Sequence, residues 1–175
     1  MIKQDTLENQ VNTVYLGIGS SLGNKRLNIE KTKFLLNNSS VKLIKSSSYY
    51  ETLSWPNPNN PSYYNVIIKV KTKYLPSDLF LEIKKIEKNL GRVNSKKNSP
   101  RTCDIDIIDF NSKIFCFKIN NNFIEIPHPK IKERNFVLMP LFEISKKWSH
   151  PKNKKKIIHL INNLSIKSLR SIKQI

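Results

Sequence analysis

The sequence predicts an α+β fold, and three observations predict it. Runs rich in β-branched and aromatic residues, "TVYLGIGS" and "YYNVIIKVKTKY" among them, alternate with stretches of helical periodicity. The runs follow the order strand, helix, strand, strand, helix, strand. The chain has 175 residues, enough for one domain with a real core and few for two. The order β-α-β-β-α-β is the split βαβ arrangement of ferredoxin-like folds. We expect a three-layer αβα core with an extra hairpin and C-terminal helices. Residues 1–12 read as an N-terminal extension and 13–175 as a single domain.

Each element has its own signal. "TVYLGIGSSLGN" begins apolar and ends in glycines and serines, as a buried strand running into a loop does. From Asn24 to Asn38, Leu27, Phe34 and Leu35 recur near helical spacing. "VKLIKSSSYYET" alternates and reads as a second strand. "LSWPNPNNPS" carries three prolines and three asparagines and must be a loop. "YYNVIIKVKTKY" is the third strand. Pro76, Ser77 and Asp78 open a helix that Gly91 ends after Leu90. Its Leu79, Ile83, Ile86 and Leu90 share one face. "RVNSKKNSPRT" is a basic loop and "CDIDIIDF" the fourth strand. "KIFCFKINNNFIEIPHP" follows as a hairpin with its turn at Asn120–Asn122. "KERNFVLMPLFEIS" is a helix interrupted or bent near Pro140.

Composition bounds the function classes. No apolar run approaches the ~18 residues of a membrane span, and "MIKQDTLENQVN" lacks the apolar core of a signal peptide. The cytoplasm is therefore the expected compartment. Cys103 and Cys116 are expected as free thiols, and no Cys/His spacing suggests zinc. Thirty-one basic residues against 13 acidic give a formal charge of +18. Charge alone fits nucleic acid, phosphate ligands or a coding bias toward lysine equally. RNA-recognition domains share this strand order, but no segment matches their Lys/Arg-Gly-aromatic pattern. Nucleic acid is not expected as a partner.

The chemistry concentrates in "PRTCDIDIID". Asp104, Asp106 and Asp109 are three of the 13 acidic residues, within six positions of one another. On a strand, Asp104 and Asp106 share a face about 7 Å apart, with Cys103, Ile105 and Ile107 on the other. Surface carboxylates answered by Arg101 are the plain alternative. A magnesium–nucleotide site needs both carboxylates for metal and cations for phosphate. Arg92, Lys96, Lys97 and Arg101 stand directly upstream. Asp109 is expected on the opposite face, solvated or terminating the strand. In "IPHPKIKERNF", His128 is held between prolines near Lys132, Arg134 and Phe136, as a phosphate or ring contact would be. In "PSYYN", Tyr63 and Asn65 share a strand face and could stack on and hydrogen-bond a flat heterocycle. "GIGSSLGNK" fails both glycine-loop tests, since Leu22 stands where a dinucleotide fingerprint needs glycine and no Gly-Lys-Ser/Thr follows.

These segments resemble a family. "LGIGSSLGN", "SSYYET", "PSYYNVIIKV", "IEKNLGRV", "PRTCDIDIIDF" and "IPHPKIKERNFVLMPLFEI" are similar, in order and spacing, to the 6-hydroxymethyl-7,8-dihydropterin pyrophosphokinases of folate biosynthesis. The resemblance spans about Tyr15 to Ile144. It implies transfer of the β,γ-diphosphate of ATP to the hydroxymethyl group of the dihydropterin, with AMP leaving. It implies Asp104 and Asp106 as ligands of two Mg2+ ions, with Arg92 and Arg101 steadying the triphosphate. Glu87, Lys96, Lys97, Ile107, His128, Lys132 and Arg134 become nucleotide-site residues. Thr52, Trp55, Tyr63, Asn65 and Phe136 become pterin-site residues. The small-molecule substrates would be the partners, and a monomer is expected. The sequence departs from the family at Asn98 and Ser99, where an aromatic and a glycine are common. It also departs at Asn94, where a basic residue is usual, and at Phe123, where an arginine is often found.

Overall fold

The computed structural model describes residues 10–54, 57–92, 99–119 and 122–175. A six-stranded sheet is built from β1 (Asn12–Ser20), β2 (Val41–Ser46), β3 (Tyr50–Thr52), β4 (Tyr63–Thr72), β5 (Asp104–Phe110) and β8 (Ile172–Gln174). Its order is β5-β1-β4-β3-β8, with β2 pairing β4 beyond β3, and every pair is antiparallel. The hairpin β6 (Phe115–Ile119) and β7 (Asn122–Ile126) forms a separate two-stranded sheet. The turn expected at Asn120–Asn122 lies largely outside the described residues.

Two helices cover one face. α1 (Lys25–Asn38) starts where Asn24 Oδ1 accepts the Leu27 N–H at 3.0 Å, an ordinary N-cap. α2 (Pro76–Asn89) opens on proline, whose missing N–H is not needed there, with Asp78 in its first turn. Gly91, at φ +80°, takes the left-handed conformation that stops it. Val14, Leu16 and Ile18 of β1 meet Ile29, Leu36, Leu79, Ile83 and Ile86 of these helices in one core cluster. The face of α1 differs from expectation. Ile29, Thr32 and Leu36 are buried, whereas Leu27 and Phe34 are 47% and 65% exposed.

α3 (Asn135–Ile144) covers the other face and keeps its helical assignment through Pro140. It packs Val137, Leu138 and Leu141 with Tyr15, Ile67 and Ile108 of the sheet. The basic tail closes this second core. α4 (Ile157–Asn162) buries Ile157, Leu160 and Ile161, α5 (Ile166–Arg170) follows, and β8 then adds to the edge of β3. The ferredoxin-like three-layer expectation holds, with a terminal strand that was not foreseen. The expected second strand is two, broken at Ser47–Tyr49. Asn12, expected in the N-terminal extension, is the first residue of β1 and is fully buried.

Candidate active site

Register decides which side chains meet. Directly opposed residues of an antiparallel pair project to the same face. Gly19 pairs with Asn65 on one side and Asp104 on the other, and Gly17 with Ile67 and Asp106. Tyr50 pairs with Asn65, and Thr52 with Tyr63. The α3 face of four adjacent strands therefore carries Asp104 and Asp106, then two glycines, then Tyr63 and Asn65, then Thr52. The glycines keep the floor between these groups low. A Cβ at Gly19 would stand 3.3 Å from Asn65 Oδ1 and 3.7 Å from the Tyr63 ring. Sequence reasoning passed over Gly19, and the signal for it was the G-x-G alternation within the first strand.

The carboxylates lie under three arginines. Asp104 Oδ1 accepts from Arg101 Nη1 at 2.9 Å and pairs with Arg92 Nη1 at 2.8 Å. Asp106 Oδ2 accepts from Arg134 Nη1 at 2.8 Å. The two carboxylates remain 31% and 35% exposed, and the second oxygen of each takes no partner among the described residues. Burial disfavours the Arg92 charge, but Asp104 and Glu87 outweigh it and hold its pKa above the ordinary value. Arg101 is positioned from its backbone: its carbonyl accepts from Ser21 and Leu22 at 2.8 and 3.1 Å, and its N–H donates to Ser21 Oγ at 2.9 Å. Its Nε is buried and has no partner among the described residues. That leaves a donor available to an oxyanion.

Glu87 underlies this cluster and does not face it. It is buried, accepts from the Ile105 N–H and from Lys84 Nζ, each at 2.8 Å, and pairs with Arg92. Its role is to fasten α2 to β5 and aim Arg92. Ile107, expected at the nucleotide site, points its side chain into the helix-side core. His128 is partly buried, and burial lowers its pKa further than Asp106 raises it. Its Nδ1 accepts the Lys130 N–H at 3.1 Å, so the neutral ring keeps its proton on Nε2. Arg134 also lies 5.4 Å from the Phe136 ring centroid. Lys132 is not brought to the carboxylates. It lines a cavity of about 280 Å³ with His150, Lys152, Glu125 and Pro127.

The other half of the face carries an amide, a hydroxyl and a phenol ring. Asn65 Nδ2 donates to Thr52 Oγ1 at 3.0 Å, and Tyr63 Oη reaches the Ser99 carbonyl at 3.2 Å. Ser54 Oγ is buried without a partner among the described residues. Glu143 of α3, missed from sequence, accepts from the Ser48 N–H, Ser48 Oγ and Tyr50 Oη. It ties the start of β3 to the helix. Trp55, Lys96 and Lys97 lie outside the described residues.

Asp109 corrects an expectation. Tyr15 pairs with Asp109 while Leu16 pairs with Ile107, so Ile108 is an extra residue in β5. A bulge of this kind shifts the alternation by one. Asp109 consequently shares the face of Asp104 and Asp106, and it is 1% exposed rather than solvated. It accepts from the Ser112 N–H at 2.7 Å and from Trp148 Nε1 at 2.8 Å. Both cysteines are free as expected, and burial pushes the Cys103 thiol up to about 12.

The fold is an antiparallel α+β sandwich whose one sheet face sets two half-open carboxylates beneath converging guanidinium groups, beside Tyr63, Asn65 and Thr52. Residues 15–146 match the 7,8-dihydro-6-hydroxymethylpterin-pyrophosphokinase family, and the chain belongs to it. It is 37% identical over 139 residues to the 2-amino-4-hydroxy-6-hydroxymethyldihydropteridine pyrophosphokinase of Aquifex aeolicus, covering 79% of this chain and 84% of that protein. It is 42% identical over 147 residues to a folic acid synthesis protein of Dictyostelium discoideum, covering 80% of this chain and 20% of the relative. A similar protein of Pneumocystis carinii is matched over 19% of its length, so the chain spans about a fifth of these larger relatives. A Plasmodium falciparum HPPK-DHPS triple mutant solved with pteroate superposes with a TM-score of 0.75 at 17% identity. That match covers 95% of this chain and 47% of the other, a likeness that speaks for the fold.

Proposed function

We propose that this chain transfers the β,γ-diphosphate of ATP to the hydroxymethyl oxygen of 6-hydroxymethyl-7,8-dihydropterin, releasing AMP, in folate biosynthesis. The observation that carries the reading is the single sheet face shared by the Asp104–Asp106 pair and the Tyr63, Asn65 and Thr52 recess. The pterin hydroxyl oxygen bonds to the β-phosphorus, the bond from that phosphorus to the α-phosphate oxygen breaks, and AMP leaves with the electron pair. The hydroxyl proton passes to solvent.

Such a transfer depends on positioning and on neutralising charge more than on a side-chain base. Arg92, Arg101 and the neutral His128 Nε2–H supply donors to the phosphates. Arg134, stacked toward Phe136, bridges the phosphate and ring halves. Tyr63 and Phe136 flank the ring, and Asn65 with Thr52 reads its amide edge. The donor set fits Mg2+: two carboxylates with an open oxygen each, and phosphate or water for the rest. No third carboxylate, histidine or cysteine joins them among the described residues. The ions would supply charge neutralisation and a more acidic hydroxyl. The enzyme is read as a monomer, and no described helix is long and apolar enough to cross a membrane.

Asp106→Ala is expected to abolish AMP formation from ATP and the dihydropterin while the far-ultraviolet circular dichroism stays native. Turnover close to wild type in that variant would remove the metal role from Asp106.

A further inference from the structure

The segment 53–62 joins β3 to β4, and its two feet, Thr52 and Tyr63, are register partners on the site face. Directly behind them, on the α1 face, their neighbours are fastened together. Lys25, the first residue of α1, donates from Nζ to Ser62 Oγ at 2.7 Å and to the Ser62 carbonyl at 3.0 Å. Ser62 Oγ donates in turn to Glu51 Oε1 at 2.6 Å. Lys25 Nζ also lies 4.3 Å from the centroid of the Tyr64 ring, and Tyr64 is the register partner of Glu51. An ammonium, a hydroxyl and a carboxylate thus link α1 to the place where the chain leaves the sheet and the place where it returns.

We propose that Lys25 is a positioning residue for the pterin half of the site. It acts through Ser62 and Glu51 to hold Thr52 and Tyr63 at the separation a flat ring needs. The assignment of the recess to pterin rests on the function proposed above. None of the three groups touches the site face, because Glu51 and Tyr64 alternate with Thr52 and Tyr63. Hydrogen bonds with an ionised partner are roughly twice as strong as neutral ones, so the linkage is stiff where a neutral one would yield. The placement of Lys25 supports the same role. A cation in the first turn of a helix opposes the helix dipole, and α1 has no acidic residue there to relieve it. Its charge is satisfied across the gap to Ser62 instead.

Steady-state kinetics with both substrates tests this. Lys25→Met keeps the aliphatic stem over Tyr64 and removes the ammonium. It is expected to raise the KM for the dihydropterin about three- to tenfold, the scale of one ordinary net hydrogen bond, because the lost contacts reach the site only through Ser62 and Glu51. The KM for ATP and kcat should stay within about twofold of wild type. Lys25→Arg should restore the KM, and Lys25→Met with Glu51→Gln should be no worse than either alone. An unchanged dihydropterin KM, or equal rises for both substrates, overturns the proposal. A second measurement needs no activity. Amide hydrogen exchange should quicken in Lys25→Met within residues 51–65 and nowhere else, and unchanged or uniformly faster exchange overturns it. Wild-type protein that makes no AMP would sink the proposed reaction alone, since the exchange result still decides the clamp.

Discussion

Asp109 has no cation paired to it among the described residues, only the two neutral donors Ser112 N–H and Trp148 Nε1. Burial therefore raises its pKa above the ordinary 3.8, against the opposing pull of those donors. The folded protein holds this proton more tightly than the unfolded chain. The resulting stability is fully present below about pH 3.8 and is lost as pH rises through the folded value. Asp109→Asn has no such proton. Urea midpoints at pH 4 and pH 7 should show the variant gaining on wild type at the higher pH, and a constant gap would mean Asp109 titrates normally. The alternation of "CDIDIIDF" made Asp104 and Asp106 legible. It misled at Asp109 because a bulge at Ile108 leaves no mark in a run of isoleucines. Arg101 was legible because it stands three residues before Asp104, its partner, whereas the pairing of Arg134 with Asp106 spans 28 residues and had no local signal.

The β2–β4 pair opposes like charges. Lys42 faces Lys71 and Lys45 faces Lys69, two direct cross-strand partnerships of lysine with lysine. Directly opposed like charges destabilise a sheet, and opposite charges contribute about 0.2–1 kcal/mol. Lys71→Glu should thus raise the thermal midpoint by about 1–4 °C for a domain of this size. Differential scanning calorimetry at low salt, repeated at 1 M salt, checks it. The gain should shrink at high salt, where the Debye length falls to about 3 Å, and a salt-independent gain would point to packing instead. Element by element, the strongly periodic pieces were readable and the locally unpatterned ones were not. α2 was legible because its apolar residues follow one face. α1 was legible as a helix but not in its orientation, because Thr32 occupies the buried stripe and bonds Cys103 Sγ at 3.2 Å while Phe34 faces solvent. The break between β2 and β3 comes from serines. Ser47 bonds Ile67 from its backbone and its side chain, and Ser48 turns to Glu143. "IKQ" carries no strand signal of its own, and β8 exists because β3 offers it an edge.

At the scale of the molecule, a chain of net charge +18 nonetheless balances its site locally. Three guanidinium groups stand against Asp104, Asp106 and the buried Glu87. In this arrangement one oxygen of each carboxylate is already answered by arginine, so a divalent cation alone meets half-neutralised ligands beside the guanidinium charges. A nucleotide triphosphate changes that, because its phosphates can take the arginines and free the carboxylates for metal. The two ligands should therefore bind with positive coupling, and by linkage each should strengthen the other by the same factor. We expect Mg2+ titrated calorimetrically into the protein to give weak binding. The same titration with a non-hydrolysable ATP analogue present should be tighter by about 5–150-fold, the usual range of such coupling. Because free nucleotide also binds Mg2+, the comparison is made against the analogue titrated without protein. Asp104→Asn should lose most of the coupling while still binding the analogue through Arg101, His128 and Arg134. Equal Mg2+ affinity with and without the analogue would sink this account, since the arginine–aspartate pairs would then present no barrier to the metal.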